Sequence, residues 1–164
     1  MINLMVCGHK QHGKDTFCEF AEELGVSFQS SSREALGKVI WPLWGKERYF
    51  TKEDCFRDRH NHRVKWYNLI TAYNSPDLTR LARDIYRKSQ IYCGLRNIDE
   101  FKACKFHGLF DLSIWVDASE RKEPEGAGSC TVTAADCDIT ITNNGSPADF
   151  EAKSKTLIDI LQRT

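Results

Sequence analysis

The apolar positions of this chain fall into short continuous runs separated by segments with helical spacing. Ile2-Asn3-Leu4-Met5-Val6-Cys7 is a brief apolar run that predicts a buried strand. Phe17, Phe20, Ala21 and Leu24 then recur every three or four residues, the period of a helix. Val26 to Ser30 reads as a second strand, and Arg33 to Trp44 as a helix interrupted at Trp41-Pro42. Glu53 to Tyr73 predicts one long helix, dense in charge and aromatics. Asn74-Ser75-Pro76-Asp77 ends it, with Ser75 placed to cap the next helix and Pro76 at its first position. Gln90 to Leu95 is a third strand, and Asn97 caps a short helix running through Ala103. Leu112 to Asp117 is apolar almost throughout, as a parallel strand covered on both faces should be. Ser119 to Ser129 reads as a loop and Asp138 to Thr142 as the last strand. After the turn Asn143-Asn144-Gly145, Ser146-Pro147 opens an amphipathic helix carrying Phe150, Leu157, Ile158 and Leu161. Five strands alternating with helices predict an α/β fold with a doubly wound parallel sheet, binding ligands at the carboxyl ends of its strands.

Composition narrows the function classes. At 164 residues, with 41% hydrophobic and 28% charged positions, the chain suits a globular domain with one substantial core. Lys+Arg and Asp+Glu both number 23, so no overall field advertises a nucleic-acid or membrane partner. No apolar run approaches the roughly 20 residues that cross a bilayer. Met1-Ile2-Asn3 leads into a strand without a charged leader or cleavage site, so the expected location is cytoplasmic, the host cytoplasm if the source is viral. The seven cysteines are odd in number and form no C-x-x-C pair, which points to free buried thiols rather than zinc or disulfides.

The chemistry concentrates after the first strand, in Gly8-His9-Lys10-Gln11-His12-Gly13-Lys14-Asp15-Thr16. Strand, glycine loop, Gly-Lys and helix form the context of a phosphate-binding P-loop. Gly8 and Gly13 permit a tight turn whose N–H groups converge on a phosphate, helped by the positive end of the helix. On this reading the loop residues Gly8, His9, Gln11, His12, Gly13, Lys14, Asp15 and Thr16 bind the nucleotide, and the Lys14 ammonium reaches its β- and γ-phosphates. The consensus has Ser or Thr directly after the lysine, to hold Mg²⁺. Here Asp15 stands there and Thr16 follows, so both are candidate metal ligands.

Two stretches of the segment between strands two and three suit an acceptor. Ser30-Ser31-Ser32-Arg33 lies at the carboxyl end of strand two, where Ser32 and Arg33 could grip a substrate; Ser32 equally suits a helix cap. On a continuous helix, Arg59, His62, Arg63, Trp66 and Tyr73 fall near one face. Arginines pair with phosphate and tryptophan offers a stacking face, so this face is a candidate nucleotide contact. A solvated basic face with inward-packed aromatics is the plainer alternative, and His62 could be a structural hydrogen-bonder. Arg96 follows strand three directly, at the rim where transferred phosphate and acceptor should meet.

Gly13-Lys14-Asp15-Thr16 resembles the P-loop of small-molecule kinases, in particular the deoxynucleoside monophosphate kinases of bacteriophages. The likeness extends to Arg96 with its following Glu100, to strand four, and to Asp136-Cys137-Asp138 with the closing Asn-Gly turn, which also resembles dephospho-coenzyme-A kinases. It implies a P-loop NTPase fold of the nucleoside-monophosphate-kinase-like kind: a three-layer sandwich whose five-stranded parallel sheet carries a helical acceptor-binding insertion. The core would comprise 1–30 and 90–164, the insertion about 31–89, and a short lid about 118–130, poor in arginine with Arg121 and Lys122 alone. It further implies ATP and Mg²⁺ as cofactors and Asn144 and Gly145 as adenine contacts through the backbone; as bare sequence these are a turn. Those kinases more often carry an aspartate near the end of strand three. Here Gly94 and Leu95 offer none, which raises the value of Asp15.

The acceptor stays open at this stage. A related branch of phage kinases phosphorylates 5-hydroxymethyl-deoxyuridine already in DNA, and the compact chain with its aromatic–basic helix leans slightly that way. A hydroxymethyl group must lose a proton during attack, and Asp15 could take it. A flipped base would need a stacking residue such as Trp66 or Trp44. A free deoxynucleoside monophosphate needs only positioning and charge neutralisation, and the even charge balance argues against DNA. For either acceptor, Lys14, Asp15 and Arg96 are the expected catalytic residues. A nucleotide-binding switch without an acceptor, or a kinase of a non-nucleotide metabolite, are the other classes.

Overall fold

A computed structural model describes residues 2–126 and 128–163. Ala127, within the span read as a lid, and Met1 and Thr164, assigned to the core, lie outside the described residues. Five strands form one parallel sheet: β1 (Leu4–Cys7), β2 (Phe28–Ser30), β3 (Ile91–Cys93), β4 (Leu112–Asp117) and β5 (Ile139–Thr142), in the order β2-β3-β1-β4-β5. β1 is central, with Leu4 opposite Ile91 of β3 and Leu112 of β4. All four of its residues are buried because helices cover both faces.

Side-chain alternation along the strands builds two cores. Leu4, Val6, Ile91, Cys93, Ile114 and Val116 pack under α1 (Lys14–Glu23) and α8 (Pro147–Gln162), which contribute Phe17, Ala21, Phe150 and Ile158. Met5, Cys7, Tyr92 and Trp115 face the other way, under α7 (Ile98–Phe106) and the insertion. That insertion runs from α2 (Ser31–Ala35) through α3 (Trp41–Leu43), α4 (Lys52–Arg57) and α5 (Arg63–Tyr73) to α6 (Arg80–Tyr86). Trp66, Leu81 and Ile85 anchor it to the sheet.

Local chemistry sets the breaks. Pro42 has no N–H for the carbonyl four residues back and crowds it, and the chain meets this by widening into a π turn over Leu36–Ile40 before α3. The long helix expected over 53–73 is divided by a 3₁₀ turn, Asp58–His62. The Asp58 carboxylate accepts bonds from Tyr49 Oη at 2.7 Å and Asn61 Nδ2 at 2.6 Å, and the His62 Nε2 lies 3.0 Å from it. Such local bonding competes with the helical ladder. Ser75 and Pro76 cap nothing, because α6 starts only at Arg80, after an Asp77–Thr79 turn. Asn97 and Ser146 do cap their helices, each accepting backbone N–H groups.

Asp138 locks β4 to the approach of β5. Its Oδ2 accepts Ser113 N–H at 2.8 Å and Ser113 Oγ–H at 2.5 Å. Burial pushes the Asp138 carboxyl up, but the bonds from Ser113 and Lys105 outweigh it and hold it below its usual range. Its contribution is therefore present above the ordinary carboxylate pKa and lost as pH falls through the lowered one. Asp138→Ala should cost about 1–3 kcal/mol of stability at neutral pH by stranding buried Ser113. Denaturant melts should show the gap from the wild type closing below about pH 4.

Candidate functional site

The strand-to-helix turn after β1 is a loop of free donors. Gly13 caps α1 in the left-handed region, at φ 103°, with no side chain to satisfy the helix start. Gln11 is also left-handed, at φ 63°. Among the described residues, the backbone N–H groups of Gln11, Gly13, Lys14, Asp15 and Thr16 make no hydrogen bond. The first helical residues leave their N–H groups without helical partners in any case; here two loop amides join them at a dipole's positive end.

Close packing shapes this turn. A Cβ on Gly8 would meet the Val116 carbonyl at 2.8 Å, and one on Gly13 the Asn143 Nδ2 at 2.5 Å. That Asn143 amide donates to the His12 carbonyl at 3.0 Å, so the turn after β5 holds the loop from beneath. Lys14 is buried, and its chain runs past Gly94 and Ser31. Its one ion pair among the described residues is to Asp15, at 3.8 Å.

Asp15 and Thr16 are both exposed. Cys93, ending β3 where the resemblance implies an aspartate, donates its thiol to Asp15 Oδ1 at 3.4 Å. The oxygen donor at this place thus comes from the helix rather than the strand. One exposed carboxylate beside a lysine fits Mg²⁺, which binds through one or two carboxylates, keeps several waters and takes the rest of its ligands from phosphate.

The loop's two histidines are both engaged by the segment that follows β4. His12 is fully buried; its Nδ1 accepts Ala118 N–H at 3.0 Å, so Nε2 carries the proton toward the Glu123 carbonyl at 3.4 Å. His9 Nδ1 accepts Glu125 N–H at 3.3 Å, and its ring packs edge-on to Trp115. Burial, and then the neighbouring His12, hold the His9 imidazole below its usual pKa. The segment read as a lid is therefore laced to the glycine loop. Arg96 joins it, donating to Glu125 Oε1 at 2.8 Å. Glu100 lies elsewhere, accepting Asn74 Nδ2 at 3.0 Å.

On the acceptor side, the residues separate. Arg33 and Arg59 both stack on the Phe56 ring, their guanidinium carbons 3.6 and 3.9 Å from its centroid. Arg33 is also paired bidentately with Glu53, at 2.7 and 3.2 Å. Burial and then Arg33 lower the Arg59 pKa, with Asp15 acting the other way. His60 is lowered chiefly by Arg59, with burial, Lys10 and Arg63 adding to it. Asp15 and Lys10 of the glycine loop thus lie within electrostatic reach of the 3₁₀ turn of the insertion, and Arg63 is exposed beside it. Ser30, not Ser32, caps α2; Ser32 stays half-buried with its Oγ 3.4 Å from that of Ser30. His62 is held by Asp58 and Trp44.

Trp66 does not join the site. It is 5% exposed, packs in the core and leaves its indole N–H unpaired. Asn144 and Gly145 sit at the expected turn; the Asn144 side chain accepts Glu120 N–H at 3.2 Å and donates to Asp117 at 3.3 Å, which bears on the turn's shape and not on contacts made through its backbone. The sequence reading passed over Asn143, His60 and Glu125. Asn143 had a signal, its place in the turn already singled out; His60 and Glu125 had none beyond residue type.

No protein-family model and no curated protein matches the chain. Among solved structures it is similar to the APS kinase of Mycobacterium tuberculosis in complex with AMPPNP and APS. That likeness has 13% identity and a TM-score of 0.50, covering 98% of each chain. It is also similar to a gluconokinase from Sinorhizobium meliloti, at 11% identity and a TM-score of 0.49, covering 97% of this chain and 92% of the other. The fold is that of a P-loop kinase, as the sequence resemblance implied; the phage deoxynucleotide type is not distinguished by these neighbours. Among the described residues no helix is long and apolar enough to cross a membrane.

Core placement of Trp66 has a direct check. Trp66→Ala should lower stability by about 3–5 kcal/mol. Trp66→Phe, which fills most of the space without the unpaired donor, should leave the KM of any acceptor unchanged; a stacking role would raise that KM without lowering the melting temperature.

Proposed function

We propose that the protein is an ATP-dependent phosphotransferase that moves the γ-phosphoryl group of ATP to an anionic acceptor of the nucleotide class. The observation that carries this reading is the set of five backbone N–H groups around the start of α1 that make no hydrogen bond among the described residues, in the turn that also carries buried Lys14. Donors fixed in place before the substrate arrives stabilise charge on a transferring phosphoryl group without reorganisation. The P-loop kinase fold supports it, as does the neighbour's complex with AMPPNP.

In the mechanism, the loop amides hold the triphosphate and Lys14 neutralises charge on its terminal phosphates. Asp15, with Thr16 beside it, would hold Mg²⁺, which would supply positive charge to offset that of the phosphates. Arg96, at the rim after β3, neutralises charge on the transferring phosphoryl group from the acceptor side. Arg59 and His60 lie within electrostatic reach of Asp15 and Lys10, and with the exposed Arg63 they suit an acceptor that brings its own phosphate. Between the two nucleotide acceptors, this cationic turn favours a free deoxynucleoside monophosphate. The slight lean toward DNA-borne 5-hydroxymethyl-deoxyuridine drew on the compact chain and the aromatic–basic helix, with Trp66 or Trp44 to stack on a flipped base; Trp66 lies in the core, and Trp44 packs against Tyr49 and His62. What supports the DNA reading is Asp15, an exposed carboxylate able to take a hydroxyl proton.

Mass spectrometry after incubation with ATP and Mg²⁺ separates the readings, with mixed deoxynucleoside monophosphates in one arm and hydroxymethyluracil-containing DNA in the other. Diphosphate products are expected in the first arm, and Lys14→Ala should reduce them by about 10²–10³-fold. Asp15→Asn should hurt transfer to a hydroxyl more than transfer to a monophosphate. Retention of most activity by Lys14→Ala would overturn the site assignment, and ATP consumption indifferent to every acceptor would favour a switch.

A further inference from the structure

The strap that follows β4 brings a carboxylate to the glycine loop. Glu125 Oε2 accepts the backbone N–H of Lys10 at 3.1 Å, and Oε1 accepts Arg96 Nη1 at 2.8 Å. The Glu125 side chain is only 9% exposed. Next to it, the Cys130 thiol is pushed up by burial and by Glu125, while Arg96 and Lys14 pull it back, so Lys14 belongs to the same neighbourhood. The strap is fastened at three further points: Ala118 N–H and the Glu123 carbonyl to the His12 ring, and Glu125 N–H to His9.

A carboxylate that takes a loop amide with one oxygen and an arginine with the other makes the bonds of a terminal phosphate. His9, Glu125 and Cys130 also bring donor atoms within 4.8 Å of one another. A metal there would have to displace the Arg96 guanidinium from Glu125 and the Glu125 N–H from His9 Nδ1. The cation this carboxylate serves is Arg96.

We propose that Glu125 is a built-in competitor for the nucleotide's terminal phosphate, so that the strap sets the preference between ATP and ADP. This rests on the phosphotransferase reading above. Two anions in contact cannot share one amide and one guanidinium, because like charges repel, and the Glu125 side chain is only 9% exposed. ATP must therefore lift Glu125 away, which releases Arg96 to the transferring phosphoryl group. ADP has no γ-phosphate to make that demand and leaves the strap down. The proton and bond inventory does not change; one set of charge-assisted hydrogen bonds is exchanged for another.

Calorimetric titration of AMPPNP and ADP, each with Mg²⁺, into the wild type and Glu125→Gln tests this. The amide keeps the shape but loses the charge that makes the bond strong. AMPPNP should bind the variant about tenfold more tightly, the difference between charged and neutral hydrogen bonding, while the ADP affinity should move by less than about twofold. A second measurement needs no variant. Hydrogen exchange at the Glu125 and Ala118 amides of the wild type should speed up with AMPPNP and stay unchanged with ADP. Equal AMPPNP affinity in both proteins, weaker binding to the variant, or a strap equally protected with both nucleotides would overturn the inference and leave the parent reading standing. Failure of both nucleotides to bind either protein would instead overturn the phosphotransferase reading, and the inference with it.

Discussion

A chain that must turn from a buried strand into a helix without covering the helix's own N–H groups imposes the constraint on which this structure depends. Gly13 meets it by entering the left-handed region at φ 103°, where an L side chain is strained. The space a side chain would need is taken by Asn143, whose amide grips the His12 carbonyl. Loop conformation, helix start and the turn after β5 are thus one packing problem with one solution. Had Ser or Thr capped α1, its oxygen would have consumed a donor that the loop instead leaves free.

The surrounding architecture keeps that turn in place. β1 is the middle strand, buried on both faces, so the loop issues from the most rigid part of the sheet. β4 supplies the Val116 carbonyl that walls Gly8, and Asp117 ties Ser119 and Asn144 together at the rim. The insertion is held by apolar anchors and by the buried Asp84, which accepts Tyr73 Oη and Arg87. Its 3₁₀ turn buries no residue, whereas Trp66, on the helix that follows, lies in the core.

What the sequence makes legible follows from which forces dominate locally. β4, its apolar run covered on both faces, and α8, opened by Ser146-Pro147, have their places written in hydrophobic period and capping chemistry. The glycine loop is legible because its spacing has few other physical uses. The 53–73 region is not, because Asp58 draws Tyr49, Asn61 and His62 into local bonds that no periodicity reports. Breaking the helix there also rotates Trp66 out of register with Arg59, which is why a face drawn on one continuous helix misassigned it. Glu125 was invisible for another reason: its partners, Lys10 and Arg96, are distant in sequence and meet it only once the sheet is assembled. A strap poor in arginine looked like a weak phosphate clamp, whereas its important charge is negative.

The central claim is that the turn after β1 is a cradle of free amides for a triphosphate. The most direct test is to follow backbone amide resonances while a Mg²⁺ complex of a non-hydrolysable ATP analogue is added to the intact protein. The account predicts saturable shifts centred on Gln11, Gly13, Lys14, Asp15 and Thr16, larger than those of any other described segment. Saturable binding whose largest shifts lie elsewhere, with these five amides unmoved, would contradict it.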